Sequence, residues 1–226
     1  MIPYRDERSA GSFAAGVWLI IAANVYCFYR ELVSGVPART ISEFALVPYN
    51  VTHHVQLAPP SPHPYLLTLI TSMFLHGGFT HIFFNMLFLA VFGPRIERRM
   101  GTIAFVVFYL MCGIAGGVAQ TLAAPGSHIP EIGASGAIAG VMGAYIVTYP
   151  RSTIDTITPI GCFPLLLRLP AIVVIGIWAA LQFFLGFDTF DANANQGGVA
   201  YFAHIGGFSF GAIVQGISGL FNRRSD

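Results

Sequence analysis

Six apolar runs, separated by arginine-bearing, glycine-rich or proline-rich stretches, set the pattern of this chain. A helix crossing a bilayer needs about 20 mostly apolar residues, and each run is read as a span on that rule. The first extends from Phe13 to Tyr29 and stops at Arg30-Glu31. The second extends from Phe79 to Phe92, with Arg95 to Arg99 just beyond it. The third is Thr102 to Ala123, the fourth Ser135 to Tyr149, the fifth Pro170 to Phe187 and the sixth Val199 to Phe221. Ser34 to Tyr65 carries Pro37, Pro48, Pro59, Pro60, Pro62 and Pro64, too many prolines for a span. Its Phe44, Leu46, Val47 and Tyr49 suit short amphipathic pieces lying in the interface. The apolar stretch Leu66 to Leu75 either extends the second span or belongs to that loop. No repeat, linker or second domain is visible. The expected fold is therefore all-α, a polytopic bundle of six helices forming one domain over residues 1–226.

Composition strengthens that picture. The chain is 55% hydrophobic and only 9% charged, against about 25% charged in globular proteins. Mean hydropathy is +0.69. A net charge of +1 gives no reason to expect a nucleic-acid partner. The opening Met1 to Arg8 is too mixed in charge to begin a signal peptide, and no A-x-A-like site follows the first apolar run. That run is expected to stay as a span. Cys27, Cys112 and Cys162 lie in apolar runs and read as packing thiols.

All eleven cations are arginine, and their placement predicts orientation, because cations are retained on the cytoplasmic side. With six spans, Arg5, Arg8, Arg95, Arg98, Arg99, Arg151, Arg168, Arg223 and Arg224 fall on one side. Arg30 and Arg39 fall on the other. Both termini are then cytoplasmic. The implied location is a cell membrane, crossed several times.

Strongly polar groups inside spans are costly, so each is a functional candidate. Ser135 opens the fourth span within Gly133-Ala134-Ser135-Gly136. The first amides of a helix lack partners and lie at the positive end of its dipole. A serine oxygen there can attack a carbonyl while those amides receive the oxyanion. His81 and Asn85, at i and i+4, share one face of the second helix. His204 lies early in the sixth. The predicted topology puts all four near the outer ends of three helices, at roughly one depth. Each has a plain structural reading too: a serine cap, interhelical glue at His81 and Asn85, an interfacial histidine. Those readings must explain four coincidences separately. Gly136 and Gly140 share the face of Ser135, and Gly207 and Gly211 share that of His204, so close helix packing is expected there.

With these residues in view, the sequence resembles the rhomboid family of intramembrane serine proteases over nearly its whole length. The resemblance rests on His81-Ile82-Phe83-Phe84-Asn85, Glu97-Arg98-Arg99-Met100-Gly101, Gly133-Ala134-Ser135-Gly136 and Ala203-His204-Ile205-Gly206-Gly207. The opening Ile2-Pro3-Tyr4-Arg5-Asp6 is similar to bacterial members without a soluble N-terminal domain, which implies a bacterial inner membrane. The resemblance implies that Ser135 is the nucleophile and His204 its base, with no carboxylate. It also implies that His81, Asn85 and the Ser135 amide hold the oxyanion. Two departures stand out. The aromatic residue that some members place four positions after the serine is Ala139 here, and the first loop has no tryptophan.

The implied activity is endopeptidase cleavage of transmembrane segments of other membrane proteins, within the lipid bilayer and without metal or cofactor. The non-enzyme rival is an inactive relative that binds transmembrane clients; having both Ser135 and His204 argues against it. A metalloprotease would need HExxH, which does not occur. An aspartyl protease would need paired carboxylates inside spans, whereas Asp155, Asp188 and Asp191 fall in expected loops. An α/β-hydrolase elbow would need glycine where Ala137 stands. A transporter would show repeat symmetry, and none is visible.

Overall fold

In the computed structural model, described for residues 1–7, 13–34, 37–55, 65–160, 163–190 and 199–222, the chain opens with a strand, β1 (Ile2–Asp6). A long helix follows, α1 (Ala15–Val33), then two short ones, α2 (Pro37–Phe44) and α3 (Pro48–His53). A one-turn helix, α4 (Thr68–Thr71), is flanked by 3-10 turns at Tyr65–Leu67 and Ser72–Phe74. Then come α5 (Phe79–Met100), α6 (Thr102–Ala123) and α7 (Ser135–Thr148), a hairpin of β2 (Thr153–Ile160) and β3 (Phe163–Pro170), and finally α8 (Ala171–Phe190) and α9 (Tyr201–Asn222). Arg8, Pro59, Pro60, Pro62, Pro64, Cys162, Asp191, Arg223 and Arg224 lie outside the described residues. Among those described, α1, α5 and α6 are long and apolar enough to cross a membrane. Ser135–Thr148 and Ala171–Gly186 are shorter apolar helices.

The all-α expectation needs one correction. The protein is mostly helical, but β1, β2 and β3 form an antiparallel sheet in that order. Thr153-Ile154-Asp155-Thr156-Ile157-Thr158 is dense in β-branched residues, which favour a pleated surface. Ile2 pairs with Ile157 and Asp6 with Ile154, so the N-terminal segment is held by residues about 150 positions away. Asp6 fastens it further. The residue is 2% exposed, and its carboxylate accepts from the Tyr145 hydroxyl at 2.7 Å and the Ser152 hydroxyl at 3.2 Å. Arg95 Nη1 stands 3.6 Å from the same carboxylate and donates to Ser152 Oγ. A buried charge so paired and hydrogen-bonded is satisfied; an unpaired one is not tolerated.

Helix α7 is the centre of the bundle. Every residue from Gly136 to Tyr145 is buried, as expected for a helix that is apolar all round. Its closest neighbour is α9, and glycines set how close. A Cβ at Gly207 would collide with the Gly136 carbonyl oxygen, and one at Gly211 with that of Gly140. In return, a Cβ at Gly140 would lie 2.9 Å from the Gly207 oxygen, and one at Gly136 3.3 Å from the Ala203 oxygen. The two backbones touch directly, as small residues permit between membrane helices.

Glu97, in the Glu97-Arg98-Arg99-Met100-Gly101 stretch, has a structural task. The residue is 3% exposed, and its carboxylate accepts the amides of Gly16 and Val17, each at 2.8 Å. The Thr102 hydroxyl donates to it at 2.7 Å. Glu97 thus caps the first turn of α1 from the far end of α5, where free amides and the helix dipole favour an anion. Gly101, at φ +84°, makes the sharp link from α5 to α6.

Candidate active site

Ser135 is the first residue of α7, and the segment before it is shaped from three directions. Gly133 donates its amide to the Ser72 carbonyl at 2.9 Å. Glu131 and Leu46 exchange backbone hydrogen bonds of 2.7 and 3.1 Å. Gln120, on α6, donates to the Glu131 carboxylate at 3.2 Å, and its Oε1 accepts the amide of Ala203 at 3.2 Å. One side chain therefore ties the serine loop to the start of α9, one residue before His204. Burial pushes the Glu131 carboxyl up to about 7, against the opposing pull of the Gln120 hydrogen bond.

The close α7–α9 contact brings Ser135 Oγ to 2.7 Å from His204 Nε2. The other ring nitrogen, Nδ1, lies 2.7 Å from Gln182 Oε1 on α8. An amide oxygen only accepts, so Nδ1 carries the hydrogen and Nε2 presents its lone pair to the serine hydroxyl. The Trp178 ring, one turn before Gln182, lies against the imidazole with centroids 5.7 Å apart and planes tilted by 41°. Four positions after the serine, Ala139 ends at Cβ and offers no ring.

His81 and Asn85 face the same space from α5. Gly77 donates its amide to His81 Nδ1 at 3.3 Å, so Nε2 bears the hydrogen and is free to donate. The Nδ2 of Asn85 is buried with no hydrogen-bond partner among the described residues. A Cβ built at Gly133 would stand 2.7 Å from His81 Nε2 and 3.8 Å from Asn85 Nδ2. Both donors therefore converge just above the turn that leads into Ser135. Gly133 also has φ +118°, so glycine is required there twice over, for conformation and for space.

A cavity of about 610 Å³ joins these groups, lined by His81, Asn85, Ser135, Ala139, Trp178 and His204 among others. A second, of about 420 Å³, reaches Ser135 and His204 from the loop side past Pro130, Glu131 and Ala200. All four residues singled out from the sequence meet in one place. Chemically, the set offers a hydroxyl beside an imidazole lone pair, two unspent side-chain donors, and the partnerless first amides of α7. Sequence reading missed Gln182 and Trp178. A glutamine inside an apolar run is a polar intramembrane group like the others, and that signal was present at position 182.

Comparison with known proteins gives the family. The rhomboid domain family matches residues 63–219. Rhomboid protease GluP of Bacillus subtilis is 32% identical over 209 residues, 92% of this chain and 36% of that protein. YdcA of the same organism is 40% identical over 78 residues, 34% of this chain and 39% of that protein. Inactive rhomboid protein 1 of Drosophila melanogaster is 33% identical over 81 residues, 36% of this chain and 6% of that protein. In each case the chain spans well under two thirds of the relative's length. The matched domain and a relative similar across nine tenths of the sequence leave one assignment: the chain is a membrane protein of the rhomboid family.

Proposed function

We propose that this protein is an intramembrane serine endopeptidase that cleaves other proteins in or near their membrane-spanning segments. The observation that carries the reading is the 2.7 Å contact between Ser135 Oγ and His204 Nε2. In this mechanism the Ser135 hydroxyl attacks the scissile carbonyl carbon as His204 Nε2 takes its proton. Asn85 Nδ2, His81 Nε2 and the Ser135 amide stabilise the resulting oxyanion. His204 then gives the proton to the departing amine, and water hydrolyses the acyl-enzyme by the same route in reverse. A rhomboid fold alone does not establish activity, as the Drosophila relative's name says of that protein. What favours catalysis here is a complete set of groups in reacting geometry.

The depth of the site supports a transmembrane substrate. At 14 residues, α7 is about 21 Å long, shorter than the roughly 30 Å hydrocarbon core. With its far end at the cytoplasmic surface beside Arg151, such a helix would start, at Ser135, below the outer membrane surface. The cavity on the loop side provides a route for water. A peptide bond within an intact helix is screened by its own hydrogen bonds, so the substrate must unwind locally. Helix-weakening residues near the cut are expected.

The same reading takes α1, α5, α6, α7, α8 and α9 as six spans of one domain over residues 1–226. Both termini face the cytoplasm, in keeping with Arg5, Arg95, Arg98, Arg99, Arg151 and Arg168 lying on one side. A reporter fused after Asp226 is expected to be active only in the cytoplasm; an external C-terminus would refute the six-span count. For activity, the purified protein is treated with a fluorophosphonate and the modified residue mapped. Labelling is expected at Ser135, and Ser135→Ala should lose both labelling and cleavage of a transmembrane substrate with little change in melting. Full cleavage by Ser135→Ala would end the proposal.

A further inference from the structure

We infer that Gln182 is the third member of the site, a positioning residue whose side-chain oxygen holds His204 in the tautomer that activates Ser135. The inference rests on the serine-protease reading above and deepens it. A serine–histidine pair has an inherent weakness. Neutral imidazole carries its hydrogen on either nitrogen, and only the Nδ1–H form leaves Nε2 able to accept the serine proton. Hydrolases with a carboxylate, or an asparagine, behind the histidine remove that ambiguity by accepting from Nδ1. Here no carboxylate among the described residues bonds Nδ1, and the acceptor that the structure supplies is Gln182 Oε1 at 2.7 Å.

The geometry around the ring is consistent with that role. His204 is 8% exposed, so Nδ1 cannot rely on bulk water for a partner. Its ring is flanked by Trp178, one helical turn from Gln182 on α8, and Trp178 also packs on Phe208 at 6.3 Å between centroids. Orientation of the base therefore comes from α8, through a hydrogen bond and a ring contact made by residues four apart. A neutral amide suits the apolar surroundings of this cavity better than a buried carboxylate, which would need a charge partner. The titratable side chains that share a cavity with His204 are His81 from α5 and, on the loop side, Glu131 before α7, both unchanged in every Gln182 variant; Trp178 and Gln182 bring no charge from α8, and Ser135 none from α7.

Two substitutions and one spectrum test the inference. Gln182→Leu removes the acceptor at similar volume, and kcat should fall about 10- to 100-fold, the worth of a hydrogen bond to a group that becomes charged, with KM little changed. Gln182→Glu restores an acceptor and adds a negative charge. Its kcat should exceed that of Gln182→Leu, and the acid limb of its pH–rate profile should move to higher pH, because the carboxylate favours imidazolium. A role in helix packing alone would not move that limb. The spectrum uses ¹⁵N-histidine-labelled protein carrying Ser135→Ala, so it requires no activity. A hydrogen-bonded His204 Nδ1–H resonance is expected with Gln182 and should vanish in Gln182→Leu. Unchanged kcat in Gln182→Leu, an acid limb that stays in place in Gln182→Glu, or a His204 signal indifferent to Gln182→Leu would overturn the assignment of Gln182. Loss of the protease reading would look different, with no labelling of Ser135 in the wild-type protein whatever the spectrum shows.

Discussion

Replacing Gly207 with alanine adds a single methyl group at the point where α7 and α9 touch. That methyl would fall inside contact distance of the Gly136 carbonyl oxygen and 2.9 Å from its carbon. The same contact recurs one turn on, where a Cβ at Gly211 would be 2.6 Å from the Gly140 carbonyl carbon. Ordinary contact begins at 3.4 Å, and both obstacles are backbone, which cannot swing aside as a side chain can. The helices must separate by roughly 1 Å, and overpacking of this kind costs about 1–3 kcal/mol. Gly207 lies one turn from His204, and Gly136 adjoins Ser135. A 1 Å separation would stretch the 2.7 Å Ser135–His204 contact beyond the hydrogen-bonding range. Misplacement of that size can lower turnover by about 10²-fold. Gly207→Ala should therefore lose both thermal stability and cleavage of a transmembrane substrate in proteoliposomes, and Gly207→Val should lose more of each. Gly216→Ala is the control on the same helix, since nothing lies within 4 Å of a Cβ there. A Gly207→Ala protein with wild-type melting and cleavage would refute the claim that this contact sets the distance between serine and histidine.

Two further outcomes follow from the site. Asn85→Ala removes a donor that is buried and unspent, so kcat should drop by about 10²–10³ with KM nearly constant. A change in KM alone would make Asn85 a substrate-binding or structural residue. Glu131 is raised from 4.5 to about 7 by burial, so the folded state holds the proton more tightly than the unfolded chain. Its contribution to stability should fall as pH rises from about 4.5 to about 7 and level off above that. Glu131→Gln, which keeps the contact with Gln120, should therefore melt like wild type near pH 4.5 and higher than wild type at pH 8. A difference that stays constant across those pH values would refute the argument.

The starts of α5, α6 and α7 were legible because the bilayer imposes a local requirement, whereas α1 runs on through Arg30 and Glu31 to Val33 and α5 runs past Phe92 to Met100, because a helix can continue beyond its apolar stretch. Each span must satisfy its own backbone and present apolar side chains over its own length. Thr102–Ala123 could be bounded from sequence to the residue. Ser135 at a helix start, Gly133 before it, and the shared face of His81 and Asn85 are likewise local facts of spacing. Glycines on one face of each of two runs indicated a close contact between the fourth and sixth helices. The side chains that complete the arrangement follow a different logic. Strand β1 pairs with a hairpin about 150 residues downstream, the cap of α1 comes from Glu97 on α5, and the acceptor behind His204 comes from Gln182 on α8. None of these has a period or a fixed offset, because partners on different elements meet only when the helices pack. The sequence by itself indicated that a serine, an asparagine and two histidines stand near the ends of three apolar helices. Only the tertiary structure decided which atom each one faces, since a hydrogen bond depends on angstrom-scale placement that helical periodicity does not specify.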